Sequence, residues 1–273
     1  MNRTHPRPMT PVSNQASSRV PRVTVYFWVI KILTTAMGEA TSDYLVHTYN
    51  PYLVVSGGFV AFVIAMTIQF SVGSYRPWAY WLAVAMVAVF GTMAADVLHV
   101  QFGVPYIAST VLFAVALVCV FSAWYRSERT LSIHSIFTRR RETFYWAAVL
   151  ATFAMGTAAG DLAAYTAGLG FLSAGLFFTA VFALPALAYR FFNANAIFTF
   201  WFAYIMTRPL GASFADWMGK SRRNGGLGYG DGPVTFVLTA LIVALVVYLS
   251  NSGNDREPAV PRRTQSVADG SSQ

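Results

Sequence analysis

Apolar residues gather into eight runs, at about 23–46, 51–73, 77–99, 104–125, 142–166, 169–190, 194–218 and 232–251, with polar links between them. Each run is close to the roughly 20 residues that carry an α-helix across a bilayer. Hydrocarbon offers no water to backbone amides and carbonyls, so helices are the predicted spanning elements, eight in all. Residues 1–22, rich in Pro, Ser and Arg, and residues 252–273 read as polar, disordered tails around a membrane domain at 23–251. The opening basic stretch and the apolar run after it are both too long for a signal peptide.

Polar residues are not shared evenly among the runs. The fourth, sixth and eighth (VLFAVALVCVF, LFFTAVFALPALAY, VTFVLTALIVALVVYL) have almost none. The odd-numbered runs hold Lys31, Glu39, Asp43, Asp96, His99, Asp161, Arg208 and Asp216. A pattern repeats through the odd runs: Trp28, Gly38, Asp43; Trp81, Gly91, Asp96; Trp146, Gly156, Asp161; Trp201, Gly211, Asp216. The spacing is Trp-x9-Gly-x4-Asp each time, and an aromatic residue precedes each Trp (Phe27, Tyr80, Tyr145, Phe200). Three sparse residues in register over four copies mark an internal repeat. Its units span about 23–73, 77–125, 142–190 and 194–251. Each unit crosses twice, so all four have one orientation, unlike the inverted repeats of many transporters. The predicted fold is an all-α membrane protein of four tandem helical hairpins, arranged as a pseudo-fourfold or pseudo-twofold bundle with odd helices inside and even helices against lipid.

Composition agrees: 56% of residues are hydrophobic and 11% charged, against about 25% charged in soluble domains. The net charge of +8 does not point to nucleic acid, because the basic residues lie between apolar runs. They set orientation instead. Arg3, Arg7, Arg19, Arg22, Arg76, the Arg126–Arg141 link, Arg190 and the last tail fall on one side, whereas HTYNPY, HVQFGVPY and YTAGLGF carry no Lys or Arg. Both termini are therefore expected in the cytoplasm. Lys220, Arg222 and Arg223 break the rule. Cys119 is the single cysteine, which leaves no intrachain disulfide and no cysteine metal cluster.

Each motif Asp stands 15 residues after its Trp, about 22 Å along a helix. The Trp residues then mark the cytoplasmic edge, where an aromatic belt is one reading, and the four Asp share one level near the outer edge. Carboxylates inside a membrane are costly and point to function or a partner. A ring of them selects cations; alternatively each Asp caps the second helix of its hairpin. Glu39, Asp43 and His47 form one helical stripe, and Asp96 and His99 are three apart. Carboxylate with imidazole suits a divalent transition metal. The other reading for His47 and His99 is an interfacial side chain. Arg208, about 10 Å into its helix, reads as an internal counter-ion for Glu39 or a motif Asp. Pro209 after it should kink or break the helix. Lys31 reads as a lysine snorkelling to the interface. Thr34, Thr152 and Thr207, six after their Trp, read as backbone-bonding.

The sequence resembles a bacterial membrane family known as a repeat of unknown function, with four tandem copies of two transmembrane segments. The four Trp, Gly and Asp carry the resemblance, over about 23–251. It implies the architecture and a bacterial inner-membrane location, and no substrate or mechanism. The residues themselves favour a transporter or channel for cations, foremost a divalent metal with proton coupling. The site would be Asp43, Asp96, Asp161, Asp216 and Glu39, with His47 and His99 as metal ligands. Two alternatives stand beside it. One is a scaffold or accessory subunit with structural acids. The other is an intramembrane aspartyl protease on Gly228-Tyr229-Gly230-Asp231, a weak match in a Gly-rich segment. No zincin, P-loop, nucleophile-elbow or dinucleotide motif is present. The oligomeric state is not encoded in any of these signals.

Overall fold

The computed structural model describes residues 18–100 and 102–255, with no account of the Val100 side chain. Eight α-helices fall on the eight apolar runs: α1 (Val25–Thr48), α2 (Pro51–Ser71), α3 (Pro77–Val100), α4 (Tyr106–Glu128), α5 (Arg139–Asp161), α6 (Phe171–Phe192), α7 (Ala196–Gly219) and α8 (Asp231–Ser252). Sequence sets their starts. Thr24, Asn50, Thr138 and Asn195 accept backbone N–H groups at the heads of α1, α2, α5 and α7, as short polar side chains do at helix N-termini. Six helices are long and apolar enough to cross a membrane, and the chain is a multi-pass membrane protein. α1 and α7 fall outside the six, since they carry Lys31, Glu39, Asp43, Arg208 and Asp216 within their length.

The odd helices close a ring in the order α1, α3, α5, α7 and back to α1. One rule of contact repeats at every joint. The motif Gly of each repeat receives the residue seven past the Trp of the next: Gly38 meets Ala88, Gly91 meets Phe153, Gly156 meets Arg208, and Gly211 meets Thr35. A Cβ at Gly38 would stand 2.5 Å from that of Ala88, and one at Gly156 2.6 Å from that of Arg208. Without a side chain, the helix backbones come close enough to gain dispersion that lipid cannot replace. The same joint recurs four times around the inner ring.

The even helices lie outside, and not against their own sequence partners. α2 packs on α3, α4 on α5, α6 on α7 and α8 on α1, each on the first helix of the following repeat. Within a repeat the two helices touch little. The repeats therefore interlock, each covering its neighbour. The even helices keep broad apolar faces exposed, including Leu53, Val60, Ile64, Leu112, Val115, Leu184 and Val243.

Both chain ends leave from the Trp end of the ring, where the Arg22 amide donates to the Asp255 carbonyl. Residues 18–22 and 252–255, assigned to the tails from sequence, belong to the fold. Val20 and Asp255 are buried, and Arg19 pairs with enclosed Glu142 at 2.7 Å. The remaining tail residues, 1–17 and 256–273, lie outside the described residues.

Candidate metal centre

The ring's interior is a stack of layers, each contributed by one position of the repeat. The aromatic layer comes first. The residue before each Trp meets the Trp of the next repeat: Phe27 with Trp81 at 5.8 Å, Tyr80 with Trp146 at 5.5 Å, Tyr145 with Trp201 at 6.1 Å and Phe200 with Trp28 at 5.7 Å between ring centroids. The Tyr80 and Tyr145 hydroxyls touch at 2.5 Å. Trp81, Trp146 and Trp201 are buried. For these three this corrects the belt reading: tilted ring pairing inside the bundle, and not the lipid interface, fixes them, while Trp28 is half-buried.

Three residues past the Trp stands Lys31. It is wholly enclosed, with Nζ 3.9 Å from the Phe153 ring centroid and 4.3 Å from that of Tyr204. It does not snorkel, because it sits on the inward face of α1, the innermost kind of helix. Four residues further along the repeat, Arg208 reaches from α7 across the ring to α3. Its Nη2 donates to Glu39 Oε2 and to Thr92 Oγ1, both at 2.5 Å. Glu39 and Thr92 occupy the same position of adjacent repeats, eleven past the Trp. α7 runs unbroken through Pro209. The hydroxyls of Thr34, Thr152 and Thr207 donate to carbonyls three residues back.

The motif Asp form the last layer, and they divide into two clusters. Glu39, Asp43 and Asp216 offer oxygens within 4.8 Å of one another. A cation already sits among them: the Lys220 ammonium donates to Asp43 and stands 3.8 Å from Asp216. The Gly-rich link holds Lys220 in place, with Gly228 N donating to its carbonyl at 2.9 Å and Leu227 N to that of Trp217 at 2.6 Å.

Asp96, His99 and Asp161 form the other cluster, again with ligand atoms within 4.8 Å. Among the described residues no Lys or Arg pairs with Asp96 or Asp161; His99 Nδ1 is 3.9 Å from Asp161 Oδ2. His99 Nε2 and the hydroxyl of Ser109, on α4, share a hydrogen bond at 2.6 Å, and the Tyr106 carbonyl lies 3.0 Å from that hydroxyl. His99 Nδ1 is buried and without a hydrogen-bond partner, on the side of the carboxylates. An outer partner fixing the far nitrogen is the usual support of a metal-binding histidine. Bonds of about 2.0–2.2 Å to such ligands require the three groups to close by about 1 Å. The Tyr106 ring lies 4.3 Å from that of His99, and Tyr165 stacks beyond it at 6.0 Å. Tyr165 belongs to a π-turn, Leu162–Thr166, that continues α5 past Asp161.

Other sequence candidates lie elsewhere. His47 is exposed, and its Nδ1–H donates to the Asp43 carbonyl at 2.7 Å. The stripe therefore contributes Glu39 and Asp43 to a cluster without the imidazole. Asp231 begins α8, outside both clusters. None of the motif Asp caps the helix that follows; Asn50, Pro105, Gly170 and Gly230 hold those places. Ser109, Tyr106 and Thr92 were not singled out in the sequence. Tyr106 ends the charge-free HVQFGVPY link, and Thr92 shares its repeat position with Glu39.

The family model described as Repeat of Unknown Function (DUF347) matches residues 26–75, 79–130, 144–195 and 199–253 in four successive copies, and the chain belongs to that family. No curated protein and no solved structure matches it.

Proposed function

We propose that this member of the repeat family is a cation transporter of the bacterial inner membrane, with eight spans and both termini cytoplasmic. Its substrate is a divalent transition metal, bound by Asp96, His99 and Asp161 and exchanged for protons. The carrying observation is the paired state of the other acids of the ring interior. Arg208 answers Glu39, and Lys220 answers Asp43 and Asp216. Asp96 and Asp161 are left with His99, whose Nδ1 has no hydrogen-bond partner.

The charge ledger supports a divalent ion. Five interior acids (Glu39, Asp43, Asp96, Asp161, Asp216) face three bases (Lys31, Arg208, Lys220). A divalent ion brings the sum to zero, and so do two protons in its absence. Exchange of one ion for two protons keeps the low-dielectric interior neutral in both states, which the cost of an uncompensated charge favours. The aromatic layer, Lys31 and Arg208 fill the axis below the site. Passage through the bundle thus needs a change of conformation, which suits a carrier better than an open channel.

The test is calorimetric titration of the full-length protein in nanodiscs with Mn(II), Co(II), Ni(II) and Zn(II), followed by uptake into proteoliposomes. One ion should bind, and each of Asp96→Asn, Asp161→Asn and His99→Ala should weaken it by at least tenfold. Binding should also fall as pH is lowered, since protons compete for the same ligands. Wild-type affinity in all three variants would refute the site. A lower melting temperature in those variants with no metal response in the wild type would favour the scaffold reading.

A further inference from the structure

The joint between α7 and α1 leaves its motif Trp partly uncovered: Trp28 is half-buried, whereas Trp81, Trp146 and Trp201 are buried. Beside Trp28 lies a cavity of about 830 Å³. α7 forms its floor and α1 and α6 its walls. Residues 131–134 of the link after α4 close one end, held there by Trp201 Nε1, which donates to the Leu131 carbonyl at 2.9 Å. The repeat explains the space. On α4, Phe121 and Trp124 stand 40 and 43 residues past Trp81 and pack on Trp201, at 4.9 and 5.8 Å between ring centroids. On α6, the residues 40 and 43 past Trp146 are Ala186 and Tyr189, and both line the cavity. Ala186 has no ring to set against Trp28, and Tyr189 is 57% exposed where Trp124 is fully enclosed.

We infer that this cavity holds an acyl chain of one anionic phospholipid from the leaflet at the Trp end. The mouth is on the lipid-facing surface, since Val25, Val29 and Tyr189 line the cavity and are exposed. The α6 wall runs from Thr179 to Tyr189, about 15 Å, which is half of a hydrocarbon core of about 30 Å. The cavity therefore has the depth of one leaflet. Its walls are mostly apolar, and the hydroxyls of Thr179 and Thr199 are turned to carbonyls one helical turn back. Polar and basic groups collect at the Trp end. Ser132 and His134 line the cavity, exposed Arg22 precedes the lining residue Val23, and exposed Arg190 follows Tyr189. Among the described residues no acid lines it. Basic groups at the headgroup level of an apolar slot between membrane helices attract an anionic lipid head. A lipid also enters such a slot sideways, without leaving the bilayer. The inference rests on the membrane location and not on the metal reading.

The experiment equilibrates the full-length protein in mild detergent with equimolar phosphatidylglycerol and phosphatidylcholine, and counts retained lipids by native mass spectrometry. One phosphatidylglycerol should be retained, with a preference of about tenfold over phosphatidylcholine. Ala186→Phe with Tyr189→Trp copies the filled α4 joint, so this variant should melt no lower than the wild type and retain no lipid. Arg22→Gln with Arg190→Gln should retain the two lipids equally. A second readout needs no variant: in nanodiscs, phosphatidylglycerol with a diazirine in its acyl chain should label wild-type α1 between Trp28 and Ile32 and α6 between Thr179 and Tyr189. No phosphatidylglycerol on the wild type, undiminished retention in the filled variant, or labelling confined to other helices overturns the inference. Equal retention of the two lipids by the wild type overturns the anionic head. Metal titration of His99→Ala bears on none of these readouts, so the two sites fail separately.

Discussion

Substituting alanine at the four motif glycines should give unequal losses, although the sequence presents them as equivalent. At Gly38 the new methyl would stand 2.5 Å from the Ala88 Cβ and 2.8 Å from its carbonyl carbon. Carbon atoms rest at about 3.5–4.0 Å, so α1 and α3 must part by about 1 Å, and backbone cannot rotate aside. Overpacking of this kind costs about 1–3 kcal/mol, and a rigid contact belongs at the upper end. Replacing a mid-helix glycine returns up to about 1 kcal/mol. The net loss for Gly38→Ala is about 2 kcal/mol, or roughly 4–8 °C in melting temperature for a domain of this size. At Gly91 the nearest atom is the Phe153 Cβ at 3.2 Å, with the ring itself at 4.0 Å. A shift of a few tenths of an ångström relieves that contact, and the two terms nearly cancel. Gly91→Ala should therefore melt within about 1 kcal/mol of the wild type. Differential scanning fluorimetry in one detergent, on protein that elutes as a single species, measures both. Equal losses at Gly38 and Gly91, or none at Gly38, would refute the interlocking joint as the reason for the motif glycine.

Two charge perturbations follow from the interior pairing. Arg208→Met strands Glu39 in the bundle and should cost about 3–5 kcal/mol, whereas Arg208→Met with Glu39→Gln should recover most of that loss. A double-mutant cycle on thermal stability reads the coupling, and additive losses would show that the pair is not felt. Lys220→Met frees Asp43 and Asp216, so the cluster of Glu39, Asp43 and Asp216 becomes available to a second ion. Calorimetry should then count two bound metal ions instead of one, and an unchanged stoichiometry would remove Lys220 as the internal occupant.

Repetition made the architecture readable. The length of the apolar runs pointed to eight helices, and the polar residues separated an inner from an outer set, because a charge in lipid must face protein. Packing between repeats was hidden. No local signal tells α2 to lie on α3 and not on α1. Lys31, Trp81, Trp146 and Trp201 were misplaced for a related reason. Near a helix end a sequence does not say which face turns inward, so interfacial and buried positions look alike.

The motif by itself determined that four Asp lie at one depth and that each repeat contributes one. Only the tertiary structure divided them. Asp43 and Asp216 acquired Lys220 from the link after α7, whereas Asp96 and Asp161 acquired His99, held by Ser109 of α4. Equal spacing fixes the height of a side chain along the ring. What neutralises it depends on groups up to 177 residues away in the chain, brought within reach by helix packing. In a medium that screens charge so weakly, that neighbour decides which acids stay paired and which are left for an ion.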